Sequence, residues 1–384
     1  MAAAKKKPRK IRVAFHKNRG NRTRQTDLTR TSREQAESLD DLENRERLTG
    51  KGSLTRFRTI LTDDDSEESP QRALDEEKSL AGRVLAAVGA NQCRVQMETG
   101  EIFLCTVRRL LRTMKRDARN AVVAGDRVRV TPESNVAGMG ATGVIERVEP
   151  RHSVLSRGSR NKAHLLVANV DQAVIVASVA EPNLKPGLID RFLCSAEKGG
   201  IRSIICINKI DLGQAHLLQP LIGQYARLGY PVLLTDALRG EGIPELRAWL
   251  RGRETVFTGQ SGVGKSSLLN AIQPGLGLST GSVSTETSKG RHTTRVTQLL
   301  QLSQGGWVVD TPGIRSLQLW DILCEEVEGL FIDFRPHVPH CRFPDCTHIH
   351  EAGCAVKRAV ERGLLALPRY QSYCRIFSGQ DESE

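Results

Sequence analysis

Five short stretches between residues 81 and 148 alternate apolar and polar positions: 81–88, 93–97, 101–107, 125–130 and 143–148. Alternation with a period of two places one set of side chains on a buried face and the other in water, which is the signature of a half-buried strand. Turn residues such as Asn91, Thr99-Gly100 and Gly125 separate the stretches. Five such strands in so short a span predict a small closed β-barrel of the OB-fold type. From about residue 169 the pattern changes. Apolar runs at 173–179, 203–207 and 231–234 lack strict alternation, and amphipathic helical patterns at 188–198, 214–228 and 243–250 separate them. That order predicts an α/β domain with a parallel sheet covered on both faces. From about residue 321 the chain is rich in Cys, His and Pro before a last helical segment. The expected organisation is an N-terminal extension at 1–79, an OB-fold domain at 80–155, an α/β domain at 156–322 and a mostly helical C-terminal domain at 323–384.

Charge changes the picture mainly at the N-terminus. The 384 residues carry 56 Lys and Arg against 44 Asp and Glu, a formal net charge of +12. Residues 1–33 hold twelve bases and one acid, Asp27, whereas residues 34–79 hold seven bases and fourteen acids. The remainder holds 37 bases and 29 acids. With little periodicity and few aromatics, residues 1–79 have the composition of a disordered extension, basic and then acidic. The basic part suits either an unpartnered solvated tail or an arm that orders on nucleic acid, where counterion release would steepen the salt dependence of binding. Between the third and fourth barrel strands, Arg108, Arg109, Arg112, Lys115 and Arg116 lie in one segment. They form either a phosphate-contacting segment or a charged solvated loop. No apolar run approaches the ~18–20 residues of a membrane span, and the first residues lack the apolar core of a secretory signal. Nine scattered cysteines suit reduced thiols and a cytoplasmic location rather than a disulfide framework.

The candidate chemistry centres on a phosphate-binding loop. A strand at 255–258 leads into Gly259-Gln260-Ser261-Gly262-Val263-Gly264-Lys265-Ser266, and Ser267 continues into a helical pattern. This is the strand–GxxxxGK[ST]–helix context of a P-loop, in which backbone N–H groups and the helix N-terminus surround phosphate oxygens. Lys265 is expected on the β- and γ-phosphates and Ser266 on Mg²⁺. Asn208-Lys209-Ile210-Asp211 closes the apolar run at 203–207. The Asp211 carboxylate can accept from the N1–H and exocyclic amine of guanine, a donor pair adenine lacks. Asp310-Thr311-Pro312-Gly313 follows the apolar strand at 307–309, where Asp310 suits a water-mediated contact to Mg²⁺ and the Gly313 N–H can sense the γ-phosphate. In the Gly- and Thr-rich stretch at 288–295, one hydroxyl of Thr293 or Thr294 can close the Mg²⁺ shell, with Thr294 taken as the ligand. Thr235-Asp236-Ala237 stands where guanine-binding loops usually carry Ser-Ala and is expected to offer a backbone N–H to guanine O6. In common GTPases the NKxD motif follows the P-loop; here it precedes it, so the domain is a circularly permuted α/β P-loop GTPase domain. Ile314 occupies the place of a water-orienting Gln. An apolar side chain cannot polarise water, which makes His292 the candidate catalytic group; the alternative is a surface His on a mobile loop.

Cys341, Cys346, His348 and Cys354 follow with C-x₄-C-x-H-x₅-C spacing. Three thiolates and one imidazole make a closed tetrahedral Zn²⁺ set, structural and one per chain. Cys324, His337, His340 and His350 are possible substitutes for one ligand.

The barrel, the permuted motif order and this Cys/His cluster together resemble the RsgA/YjeQ family of small-ribosomal-subunit-dependent GTPases, over roughly residues 80–375. The resemblance implies a monomeric late factor in maturation of the 30S subunit that binds 16S rRNA and hydrolyses GTP to GDP when stimulated by the subunit. It also implies that the barrel and zinc domain grip rRNA from two sides of the GTPase domain, and that His292 acts in the stimulated hydrolysis. Gly262 stands where potassium-activated GTPases often carry Asn, so that marker is missing. Other permuted GTPases act on the large subunit but do not share the barrel and Cys₃His cluster. A nucleotide-binding RNA module without turnover, or a P-loop kinase or ATPase, are the readings from other classes.

Overall fold

The computed structural model describes residues 9–14, 57–62, 79–88, 91–108, 111, 121–133, 141–157, 164–278, 297–310 and 322–380. The chain divides into two compact units, 1–77 and 78–384. In the first, β1 (Arg9–Ala14) pairs antiparallel with β2 (Phe57–Thr62), Ile11 opposite Ile60. The composition predicts no order in this extension; β-branched and aromatic residues, which fit a pleated ribbon, account for the local exception.

The second unit begins with β3 (Leu80–Val88), β4 (Gln92–Met97), β5 (Ile102–Val107), β6 (Arg127–Pro132) and β7 (Thr142–Val148). Their order is β3-β4-β5-β7-β6, and β6 returns to pair with β3. The β5–β7 pair is parallel and the others are antiparallel. Closure removes free edges, and the inward residues of each strand, including Val84, Val95, Cys105, Val130 and Ile145, fill the interior. This is the OB-like barrel that the alternation predicts. An antiparallel ribbon of β8 (Val154–Arg157) and β9 (His164–Ala168) follows. The expected boundary at 155/156 therefore falls inside a paired strand.

The α/β domain contains β10 (Gln172–Ser178), α1 (Pro186–Lys198), β11 (Arg202–Asn208), α2 (Gln219–Arg227), β12 (Val232–Thr235), α3 (Ile243–Leu250), β13 (Glu254–Thr258), α4 (Lys265–Ile272), β14 (Gln298–Gln301) and β15 (Trp307–Asp310). The strands order as β12-β11-β10-β13-β15-β14; only β14 is antiparallel to its neighbour. The continuous apolar runs reflect burial on both faces. Val174, Val176, Ile204 and Cys206 meet α3 and α4, while Ile175, Ala177, Ile205 and Ile207 meet α1 and α2. The helical pattern at 214–228 resolves into a 3₁₀ turn, Ala215–Leu218, and then α2, which has Pro220 in its first turn. Proline lacks an N–H and is tolerated there but not in a helix interior. β14 also touches β3, with Gln298 opposite Ala86, so barrel and α/β strands form one eleven-stranded sheet. Arg83 reinforces this junction by an ion pair with Glu254 and by lying 5.6 Å over the Trp307 ring.

The C-terminal module consists of α5 (Cys324–Leu330), α6 (Ala355–Glu361) and α7 (Leu367–Phe377) around Phe331, Phe334 and Tyr373. Phe334 and Tyr373 pack in a tilted pair with ring centroids 4.7 Å apart. Arg369 of α7, only 1% exposed, donates to Asp190 Oδ1 on α1 at 2.7 Å and to Asp333 Oδ1 at 2.8 Å. Tyr225 Oη of α2 donates to the same Asp190 oxygen at 2.7 Å. Buried charges are retained only when paired in this way. Among the described residues no helix is long and apolar enough to cross a membrane.

Ile145 is fully buried in the barrel and has no polar function. Ile145→Ala is expected to cost about 2–5 kcal/mol, read as an earlier urea midpoint.

Candidate nucleotide site and metal centre

Parallel strands present their C-terminal ends along one edge, where α/β proteins bind ligands. Ser178 of β10 lies opposite Asn208 of β11, and Asn208 opposite Thr235 of β12. On the other side of β10, Ile175 lies opposite Thr258, the last residue of β13 before the P-loop. Three motifs far apart in sequence thus leave the sheet side by side.

The P-loop runs from β13 into α4, with Gly259, Gly262 and Gly264 at φ of 143°, 82° and 95°. These values favour glycine. At Gly264 space also decides the residue, because a Cβ there would stand 2.4 Å from Asn208 Nδ2. Lys265 Nζ folds back over the loop and donates to the carbonyls of Gly259 and Gln260, both at 2.7 Å. Ser266 and Ser267 lie half-buried in the first turn of α4, and Val263 is buried beneath the loop, while Ser261 and Gly262 are exposed. At the other end of α4, Arg247 donates to the carbonyls of Ala271 and Ile272 at 3.1 and 2.9 Å. A cation is favourable at this negative helix end. Nothing in the local sequence marks Arg247, because the contact spans two helices.

Asn208 joins the loops. Its buried Nδ2 donates to the Val263 carbonyl at 2.9 Å, and its Oδ1 accepts from Thr235 Oγ1 at 3.2 Å and from the Ala237 N–H at 3.3 Å. Lys209 has a left-handed φ of 59° and donates through Nζ to the Glu181 carbonyl. Ile210 and Asp211 open a 3₁₀ turn, with Asp211 exposed. Asp236 is buried, and its Oδ1 accepts from the N–H groups of Leu238 and Arg239 at 2.8 and 3.1 Å. Its carboxylate therefore shapes the turn, which leaves backbone groups for any contact to a base. Asp310 ends β15, whose Val309 lies opposite Val256 of the P-loop strand. His292, Thr293, Thr294 and Gly313 lie outside the described residues, as do Arg109, Arg112, Lys115 and Arg116. Arg108 is placed, and it forms an ion pair with Glu146 within the barrel.

In the C-terminal module the donor atoms of Cys341, Cys346, His348 and Cys354 all lie within 4.8 Å of one another. His348 Nδ1 is 3.5 Å from Cys341 Sγ and 3.4 Å from Cys354 Sγ. Its Nε2 faces Glu328 Oε2 on α5 at 3.1 Å. That pairing fixes the ring and leaves Nδ1 as the donor, the carboxylate–histidine arrangement of metal sites. Backbone N–H groups of Ala355 and Lys357 point at the sulfurs of Cys341 and Cys354 at 3.4 and 3.5 Å. The set fits a tetrahedral metal ion. Burial first, and then the neighbouring Cys354 and Cys341, push the Cys346 thiol up to about 12, so binding a cation must expel its proton. Burial also works against the Glu351 carboxylate, but Thr347 outweighs it through its hydroxyl and N–H, at 2.6 and 2.8 Å, and holds the pKa at about 2. Cys324, His337, His340 and His350 do not belong to the cluster. Glu328 is invisible to a search for ligand spacing because it reaches His348 from α5, outside the Cys/His segment.

Gly264→Ala imposes both a strained φ and a clash with Asn208. With about 1–3 kcal/mol at stake, GDP binding measured by calorimetry is expected to weaken about ten- to hundredfold, without loss of metal content.

Residues 148–320 match the family model for the RsgA GTPase. Small ribosomal subunit biogenesis GTPase RsgA of Shewanella oneidensis is 38% identical over 326 residues, covering 83% of this chain and 88% of the relative. Its counterpart in Alkaliphilus metalliredigens is 42% identical over 278 residues, covering 72% and 90%. The crystal structure of YjeQ from Thermotoga maritima is 37% identical and superposes with a TM-score of 0.64 over 80% of this chain and all of that one. YloQ, described as a circularly permuted GTPase, gives 32% and 0.61 with 80% and 97% coverage. By sequence and by fold alike, this chain belongs to the RsgA GTPase family.

Proposed function

We propose that this protein hydrolyses GTP to GDP during late maturation of the 30S ribosomal subunit, in the cytoplasm, as a monomer that binds 16S rRNA and is stimulated by the subunit. The observation that carries the reading is the bonding of Asn208 to both the P-loop and the Thr235–Ala237 turn, in a chain whose relatives bear the name of small-subunit biogenesis GTPases. It makes phosphate and base recognition one unit.

In this reading the backbone N–H groups of residues 259–267 and the Lys265 ammonium hold the phosphates. Mg²⁺ bound with GTP would be held by Ser266 and Thr294, with Asp310 reached through water, and would neutralise developing charge. Asp211 accepts from guanine, Lys209 and Ile210 frame the base, and a backbone N–H of the 235–237 turn meets O6. Gly313 senses the γ-phosphate. With Ile314 in place of a polar residue, water is left poorly oriented in the free protein. His292 supplies that function when the subunit is bound.

Zn²⁺, one per chain, would be held by Cys341, Cys346, His348 and Cys354 in a structural role, contributing folding free energy on the order of 10 kcal/mol. Arg108, Arg109, Arg112, Lys115 and Arg116 would contact rRNA phosphates, with Arg108 exchanging its Glu146 partner for RNA.

GTP turnover measured with and without purified 30S particles tests the reading. Turnover is expected to be slow alone and to rise at least about tenfold with particles, as for GTPases completed in trans. His292→Ala should lose the stimulation and keep GTP affinity. Equal turnover with and without particles would refute the proposal. A zinc chelator is expected to release one equivalent of metal per chain and to lower the melting temperature; a stable, metal-free chain would refute the structural role.

A further inference from the structure

α1 follows the central strand β10, so by topology it belongs to the α/β domain. Its buried apolar residues Ile189, Phe192 and Leu193 pack on that sheet. Its charged residues point the other way. Asp190 pairs with the buried Arg369 at 2.7 Å, Glu197 with Arg335 at 3.3 Å and Lys198 with Glu326 at 2.5 Å, and all three partners lie in the C-terminal module. Cys194, between them, is buried in that module's own apolar core. The helix is therefore clamped to the C-terminal module along its length.

The segment that leads into α1 touches the nucleotide loops. Glu181 offers its carbonyl to Lys209 of the NKxD motif. Pro182 lies against the P-loop, where a methyl group added to Gly262 would stand 3.5 Å from its Cδ. Ser178 Oγ holds the segment by donating to the Pro182 carbonyl at 2.6 Å. Beyond it, a cleft separates Leu184, Leu188 and Phe192 from Gln260 and Val263 of the P-loop. One rigid helix thus has charged contacts with the C-terminal module and, at its N-terminal end, a loop resting on both phosphate- and base-binding motifs.

We infer that α1 is the positioning element that couples the C-terminal module to the nucleotide site: a shift of that module on its macromolecular partner moves the 179–185 loop against Lys209 and Gly262 and so changes nucleotide affinity. This route is separate from the 288–295 and 310–313 motifs, which adjoin β14 and β15 in sequence. It rests on the proposed function in taking the small subunit as the partner. Coupling is reciprocal, so nucleotide must alter subunit affinity by the same factor, commonly about 5- to 150-fold.

The test compares affinities for GDP and a non-hydrolysable GTP analogue on and off 30S particles. The parent chain is expected to show different affinities in the two settings; identical values would overturn the relay, while particle-stimulated turnover would leave the proposed function standing. The variant Asp190→Asn/Glu197→Gln/Lys198→Gln removes the helix side of the clamp while Arg369 keeps Asp333. Its free affinities are expected to stay within about twofold of the parent, while the on/off ratio drops at least about fivefold toward one. A variant with unchanged free affinities and the full parental ratio overturns the relay, even though the subunit still stimulates turnover. The exposed pair provides a second arm that spares the buried network. Lys198→Glu alone should lower the ratio, and Lys198→Glu with Glu326→Lys should restore it. Parental ratios in both, or no restoration by the swap, count against the relay.

Discussion

The amide of Asn208 is the contact on which the nucleotide site depends. An amide carries donors and an acceptor on one planar group, and here Nδ2 donates to the P-loop carbonyl of Val263 while Oδ1 accepts from Thr235 and Ala237. Buried polar atoms must find partners, at a cost of about 1–3 kcal/mol for each left unpaired. The 259–264 loop and the 235–237 turn are therefore held in one geometry by a single side chain. The closeness of this contact leaves no room for a side chain at residue 264.

The parallel sheet makes that contact possible. Permutation changes which motif the chain meets first, but parallel register still brings the ends of β10, β11, β12 and β13 to one edge. The site is set by spatial order, and the chain can begin at a different strand without disturbing it. What permutation does alter is the attachment of neighbouring parts. β14 joins the α/β strands to the barrel, and the chain leaves β15 for the C-terminal module. Barrel and α/β strands thereby share one sheet.

The C-terminal module shows two kinds of stabilisation. Its Cys/His cluster gathers four donors around one point, with Glu328 orienting the imidazole. Its contact with the α/β domain buries Arg369 between Asp190 and Asp333 and also places the guanidinium 4.5 Å over the Phe331 ring. A buried network of this kind confers geometry more than stability, since well-packed apolar groups can stabilise as much.

Much of this was legible in the residue pattern. Alternation located the five barrel strands, the continuous apolar runs announced strands buried on both faces, and the glycines, Lys265, Asp211 and the four metal donors stood at recognisable spacings. Each of those signals is local, because periodicity and motif spacing follow from the geometry of a single strand, helix or loop. The ribbon within the N-terminal extension, the split of the 214–228 helix and the β8–β9 ribbon were not visible, since composition averages over short strands and proline position decides where a helix starts. The carboxylate of Asp236 closes on its own turn, a contact that position along the chain does not reveal. Element types, the chemistry available and the order of motifs follow from the residues as they stand along the chain. Tertiary structure alone decided that Asn208 would knot two loops, that Glu328 would orient His348 and that Arg369 would clamp α1. Those contacts join residues 20 to 179 positions apart, and only the packing of the whole sheet and its helices brings such partners within bonding distance.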